Sequence, residues 1–209
     1  VFQQAALDSI GIDATYEKWE VLPENVGNFV DGLRNSDSIG INITLPHKQA
    51  VIPFLDEVDE WASVAGSVNT IVNQNGWLSG HNTDGPGFLK ALLVETGYDP
   101  KGTRALILGA GGAARGILLA LVRGGVDSLV IANRTVDRAV DLAQLSRDNG
   151  VVSEAISISG DAIDGAAASA DLIVNCTSVG MSHGPDEHGS PLSATQIPDT
   201  AIVNDLVYT

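Results

Sequence analysis

A single cysteine, Cys176, stands among 209 residues, which excludes an internal disulfide. It lies in the apolar run 171–176 and reads as a buried structural thiol rather than a nucleophile. A chain without disulfides fits a reducing compartment, and a cytoplasmic location is the expectation. Basic residues are also scarce: 11 Lys and Arg face 26 Asp and Glu, for a net charge of -15. That balance excludes a general nucleic-acid binder, because a phosphate backbone needs a basic face. Any anionic ligand must then be held by a local cluster of cations. No apolar run approaches the roughly 20 residues of a membrane-spanning helix, so no membrane partner is expected. No secretory leader is visible, and Val1 is not an initiator methionine, so the natural chain is expected to begin upstream. Internal repeats and low-complexity segments are absent. Of the histidines His47, His81, His183 and His188, the last two share a Gly/Pro-rich loop with no third ligand nearby. They read as solvated, and no metal site is expected. Trp19, Trp61 and Trp77 read as packing residues.

What is present is a core-forming composition, 44% hydrophobic, in a chain long enough for one large domain or two small ones. The first half predicts a helix over 1–10 closed by Gly11, a strand over 14–22 and a helix from Pro23 to about 35. A short buried strand at 39–43 and two short helices, near 47–55 and 57–65, come next. Segments 67–73 and 76–81 form a hairpin around Gln74-Asn75-Gly76. A helix over 84–96 crosses to the second half. There, strands at 103–108, 128–132, 152–158, 172–176 and 201–205 alternate with helices at 112–123, 136–148 and 162–168. Strands alternating with helices imply a parallel sheet with right-handed crossovers. The loop 182–191 is rich in turn residues and reads as mobile.

Residues 109–114 read Gly-Ala-Gly-Gly-Ala-Ala. They follow an apolar strand and open a helix, the context a dinucleotide fingerprint requires. Gly109 permits the tight turn, Gly111 lets backbone N–H groups approach a pyrophosphate, and Ala114 lets helix and strand pack closely. The helix dipole favours the phosphate charge. The end of the following strand distinguishes the cofactors. An NAD site places a carboxylate there for the ribose 2′-hydroxyl, whereas this chain has Asn133-Arg134-Thr135, with Arg138 one turn on. Two arginines attract a 2′-phosphate, so NADP is the expected cofactor. Thr135 is placed to cap the next helix and to donate to that phosphate.

In the first half, Lys48 follows a turn begun by Pro46, just past an apolar strand. A lysine there can give a proton to an alkoxide as hydride arrives at a carbonyl. The polar clusters Asn69-Thr70 and Asn82-Thr83-Asp84 flank the hairpin. If they converge on Lys48, they form a cation, a carboxylate and an amide around a cavity suited to a substrate with several hydroxyls. Asp84 would then hold the ammonium, although a helix N-cap is its simpler role.

Taken in order, Asn42-Ile-Thr-Leu-Pro-His-Lys48, Ala65-Gly-Ser-Val-Asn-Thr70, Asn82-Thr-Asp-Gly85, the turn from Gly109, Asn133-Arg-Thr-Val-Asp-Arg138, Asn175-Cys-Thr-Ser-Val-Gly-Met181 and Asp205-Leu-Val-Tyr208 resemble the shikimate dehydrogenase family. The resemblance spans nearly the whole chain. It implies two α/β domains: an N-terminal substrate domain over 1–84 and a Rossmann-like NADP-binding domain with a parallel sheet over 101–209, joined by a helix and linker at 85–100. It implies NADPH-dependent reduction of 3-dehydroshikimate to shikimate, in aromatic amino-acid biosynthesis. Lys48 would be the catalytic acid/base and Asp84 its partner. Thr44, Asn69, Asp84 and Tyr208 would contact substrate. Gly109, Ala110, Gly111, Gly112 and Ala113, with Asn133, Arg134, Thr135 and Arg138, would hold NADP. Met181 and the backbone near Leu206 would border the nicotinamide, and Glu60 is a cofactor-side candidate. A homodimer is possible.

Three departures are visible. The family's N-terminal strand and its Ser-x-Ser carboxylate anchor have no counterpart here, and neither do its C-terminal helices, so the chain is expected to be a fragment. Gly116 stands where a larger helix former is usual. Two alternatives stay open: an NAD-using quinate/shikimate dehydrogenase, and an NADP-binding module without turnover.

Overall fold

Strand β1 (Gly40–Asn42) pairs antiparallel with β3 (Thr70–Gln74), and β3 pairs antiparallel with β4 (Trp77–His81). The turn between β3 and β4 places Asn75 at φ 55 and Gly76 at φ 91, the left-handed pair that matches strand twist in a two-residue hairpin. A two-residue strand, β2 (Glu57–Val58), adds parallel to the far edge of β4, giving the order β1-β3-β4-β2. This computed structural model describes residues 2–44, 46–182 and 186–207.

Helix α1 (Phe2–Ser9) buries none of its residues, whereas α2 (Val26–Leu33) turns Val26, Val30 and Leu33 into the N-terminal core with Ile71 and Leu78. Residues 14–22 depart from the expected strand: they carry no regular structure. Side chains satisfy their backbone in place of a ladder. The Tyr16 N–H donates to Gln4 Oε1 at 2.7 Å, Gln4 Nε2 donates to the Ala14 carbonyl at 3.0 Å, and a His47 ring nitrogen meets the Val21 carbonyl at 2.7 Å. The two expected short helices are also smaller. Residues 46–51 are turns leading into a 3-10 turn at Ile52–Phe54. Only α3 (Glu60–Ala65) is α-helical, capped by Asp59, whose Oδ1 accepts from the Ala62 N–H at 2.6 Å.

Helix α4 (Asp84–Ala91) continues as a π-turn at Leu92–Thr96 and leads to the second sheet. That sheet is wholly parallel, in the order β7 (Val152–Ser157), β6 (Ser128–Asn133), β5 (Arg104–Leu108), β8 (Leu172–Asn175) and β9 (Ile202–Asp205). Helices α5 (Gly112–Arg123) and α6 (Val136–Asp148) pack with one buried layer of the core, and α7 (Ala162–Ser169) with the other. Residues 105–108 of β5 and 172–174 of β8 are buried, continuous apolar runs, as a parallel sheet covered on both faces demands. The order reverses between β5 and β8, which opens a crevice at their carboxyl ends.

The two sheets meet through α4 on α5. A Cβ on Gly85 would lie 2.8 Å from the Trp61 ring and 3.2 Å from the Gly116 carbonyl, so α4 approaches α5 closely only because residue 85 is glycine. Arg123, at the end of α5, lies 4.0 Å over the Trp61 ring and donates to Glu60 at 2.6 Å.

Candidate active site

Lys48, Asn69 and Asp84 come from three elements and meet. The Lys48 carbonyl accepts from the Val68 N–H at 2.8 Å, which ties the turn to the start of β3. Its ammonium donates to Asp84 Oδ2 at 2.7 Å, and Asn69 Nδ2 donates to Asp84 Oδ1 at 2.6 Å. Both carboxylate oxygens are therefore engaged. Asp84 is not the N-cap; Thr83 holds that position, and Asp84 opens the first turn, where the helix dipole favours its charge. Asn69 is nearly buried at 9% exposure, and its Oδ1 accepts from the Thr83 N–H at 3.0 Å, fixing the amide's orientation. The polar chain continues outward: Thr70 Oγ1 donates to Asn69 Oδ1, Asn42 Nδ2 to Thr70 Oγ1, and the Tyr16 hydroxyl to Asn42 Oδ1. A lysine held by a carboxylate, with a fixed amide beside it, can deliver a proton to a nearby oxygen.

The glycine turn lies beyond β5. Gly109 has φ 102, and a Cβ there would lie 2.9 Å from the Cys176 carbonyl, so no larger residue fits. Gly111 and Gly112 have nothing within 4 Å of an added Cβ: their open side is where a ligand can approach the backbone. Ala114 is fully buried under the sheet. The first-turn N–H groups of α5 have no carbonyl within the helix and point to this space. The turn thus fits a dinucleotide pyrophosphate.

Asn133 ends β6, and its Nδ2 donates to the Thr135 carbonyl at 2.8 Å, shaping the turn into α6. Arg134, Thr135 and Arg138 are exposed around that turn. Thr135 occupies the N-cap position but its side chain makes no capping hydrogen bond, so that expectation is corrected: the Asn133 amide holds the turn instead. Met181 and Leu206 follow β8 and β9 and therefore share the carboxyl edge with the glycine turn and Arg134. Leu206 is anchored by its N–H to the Asn175 carbonyl at 3.1 Å. Glu60 is a correction. It pairs with Arg123 at the far end of α5 from the glycine turn, where it ties helices together. Tyr208 and His183 lie outside the described residues.

A cleft of about 390 Å³ runs between the halves, lined by Pro46, Lys48, Gln49, Ser67, the turn Ala110 to Gly112, Arg115 and Arg138. A larger cavity of about 480 Å³ lies under residues 13–21, and Thr44 lines it with Tyr16, Asn42 and His47. The smaller one carries the cations and the cradle, and chemistry rather than size marks it as the site. Thr44 lines this adjoining cavity, four residues before Lys48. Among the described residues no three His, Cys, Asp or Glu side chains converge as metal ligands. His81 is held by Asp59 and Ser79, so it serves structure. Burial, and secondarily the charge of Asp205, pushes the Cys176 thiol well above its ordinary range, which removes it as a nucleophile. Sequence reasoning missed Arg115 and Ser67. The signals were Arg115's place four residues after Gly111 in a chain so poor in cations, and Ser67's place within the segment 65–70.

Comparison with known proteins places the chain in one family. Residues 1–71 match the family model of the shikimate dehydrogenase substrate binding domain, and residues 93–183 match that of shikimate / quinate 5-dehydrogenase. A shikimate dehydrogenase (NADP(+)) of Methanopyrus kandleri is 46% identical over 98% of this chain and 70% of its own length. The structure of the Thermus thermophilus enzyme in complex with NADP(H) and shikimate superposes with a TM-score of 0.85 at 37% identity, covering 99% of this chain and 72% of that one. A ligand-free 5-ketofructose reductase of Gluconobacter shares the architecture too, with a TM-score of 0.84 at 34% identity over 98% of this chain and 72% of its own. The chain belongs to the shikimate dehydrogenase family.

Proposed function

We propose that this chain interconverts 3-dehydroshikimate and shikimate with NADP(H), using Lys48 as the proton carrier. The observation that carries the reading is the Lys48–Asp84–Asn69 cluster, with Lys48 lining the same cleft as Gly111 and Gly112. NADPH, when bound, supplies hydride to the substrate carbonyl carbon. Lys48 gives its proton to the carbonyl oxygen, and Asp84 holds the ammonium in place. In the reverse direction Lys48 takes the hydroxyl proton. Asn69 and Asp84 orient the ring hydroxyls, with Thr44 and Tyr208 as further substrate contacts. Gly109 to Ala113 seat the pyrophosphate. Asn133, Arg134, Thr135 and Arg138 take the 2′-phosphate side, and Met181 and Leu206 border the nicotinamide. Substrate chemistry belongs to residues 1–84 and cofactor binding to 101–209, with 85–100 as the connection. Arg134 and Arg138 favour NADP over NAD because each offers cationic donors where an NAD site offers a carboxylate.

The likeness to a 5-ketofructose reductase supports one second reading, a different hydroxylated ketone as substrate. The deciding experiment follows nicotinamide absorbance with NADP and NAD, each against shikimate and quinate, and with NADPH against 5-ketofructose. Fastest turnover of shikimate with NADP is the expected result. Turnover of 5-ketofructose alone overturns the substrate assignment.

A further inference from the structure

Two buried polar atoms in the cleft have no partner: Arg115 Nε and Ser67 Oγ. Both residues line the space shared by Lys48, Gly111 and Gly112. Ser67 is 1% exposed. Its main chain is fully engaged, with the N–H on the Ala62 carbonyl at 3.1 Å and the carbonyl accepting from Asn82 Nδ2 at 2.9 Å, so only the hydroxyl is idle. A buried hydroxyl without a partner is destabilising unless something else completes its bonding.

Arg115 faces Ser67 from the other half. It is the fourth residue of α5, and helical side chains lean toward the helix N-terminus, so its guanidinium reaches back over the end where the free amides converge. It rests against Gly66: a Cβ there would lie 3.8 to 3.9 Å from Nε, Cζ and Nη2. No salt bridge among the described residues includes it, although 26 acidic residues are available in this chain. Asp141 lines the same cleft and does not pair with it. A guanidinium offers five donors and no acceptor, so its missing partner is an acceptor, and its charge selects an anion. The free amides of α5 at the same spot select the same thing.

We propose that Arg115 and Ser67 are ligands of the cofactor's pyrophosphate, donating to phosphate oxygens seated on the N-terminus of α5. This rests on the dinucleotide reading of the preceding subsection.

Calorimetric titration of the purified chain with NADP, NAD and adenosine 2′-monophosphate tests it, since the last ligand has the 2′-phosphate but no pyrophosphate. Arg115→Ala is expected to weaken NADP and NAD equally, by about 10- to 100-fold, the range for a hydrogen bond to a charged group. Adenosine 2′-monophosphate should bind as before. Ser67→Ala should weaken both dinucleotides by roughly 3- to 10-fold. Arg115→Lys keeps the charge without the planar fork, so it should fall between Arg115→Ala and the parent, and it carries the test if the alanine variant fails to fold. Arg134→Ala should show the opposite pattern, losing NADP and the monophosphate but not NAD. Parental dinucleotide affinity in both Arg115 variants overturns the proposal while leaving the function intact. Equal losses for all three ligands also overturn it, because that is the mark of a general structural role. A parent chain that binds neither dinucleotide overturns the cofactor reading and this proposal with it.

Discussion

In the N-terminal half the polar cluster that ends at the cleft in Lys48 is made of side chains from separate elements: Lys48 after β1, Asn69 before β3 and Asp84 opening α4. In the C-terminal half the cradle is backbone from one contiguous turn, and glycine is needed for its shape and its bareness. The two halves also differ in depth. Among the described residues the first rests on one buried cluster of eight around Ile71 and Leu78, whereas the two faces of the second sheet carry clusters of nineteen and nine, the larger shared with Ala65, Phe88 and Leu92. The half that carries Lys48 therefore stands on the smaller core and borrows support from its neighbour, through Gly85 on α5 and Arg123 on Trp61. Cofactor binding can be encoded locally, but acid–base chemistry needs a tertiary meeting point.

That contrast can be broken by substitution. Lys48→Ala should lower turnover by about 10²- to 10⁴-fold, the usual contribution of a general acid/base, with NADP affinity retained. If steady-state rates persist, or NADP affinity falls in parallel, the division of labour is wrong. Gly109→Ala should do the reverse. Its Cβ would meet the Cys176 carbonyl at 2.9 Å in a backbone of φ 102, a strain of about 1–3 kcal/mol at the cradle. NADP affinity and thermal midpoint should both drop, while the ion pair of Lys48 and Asp84 stays intact. Arg134→Ala should weaken NADP by roughly 10-fold or more and leave NAD unchanged; equal losses would remove the 2′-phosphate argument.

The smallest expected effect concerns acid. The Arg34 side chain, then the Leu78 N–H, hold the Asp56 carboxyl below its usual range in the first half. The Arg104 side chain, then the Arg104 N–H, do the same for Asp171 in the second. A carboxylate with a depressed folded-state pKa contributes stability that is present above its ordinary value, near ~3.9, and lost as pH falls through the folded value. Denaturant midpoints should therefore hold near neutrality and fall below roughly pH 4. Asp56→Asn and Asp171→Asn should each flatten part of that fall. An unchanged acid profile in both variants would show that the two halves do not share this device.

Much of this was legible in the chain. The hairpin followed from Asn75-Gly76, because few other residue pairs accept two left-handed conformations in succession. The parallel sheet followed from apolar strands alternating with helical periods. Residues 14–22 were misread because alternation describes a strand only when a neighbouring strand is present, and here side chains from Gln4 and His47 answer that backbone. Glu60 was misplaced for a related reason: a charge says nothing of its partner until Arg123 is brought beside it. Gly116 is a milder case. An added Cβ would lie 3.7 Å from Asp84 Cβ, ordinary contact, so the glycine is tolerated there rather than required.

By itself the sequence determined what depends on neighbours along the chain: the glycine turn between strand and helix, the arginines one strand later, and the order of strands and helices. Only the tertiary structure decided what depends on distance across it. Lys48 and Asp84 lie 36 positions apart and touch, and Arg115 and Ser67 line one cleft from the two halves of the chain. Backbone geometry is set within a few residues, whereas the partner of a charge is whichever group packing brings within hydrogen-bond reach.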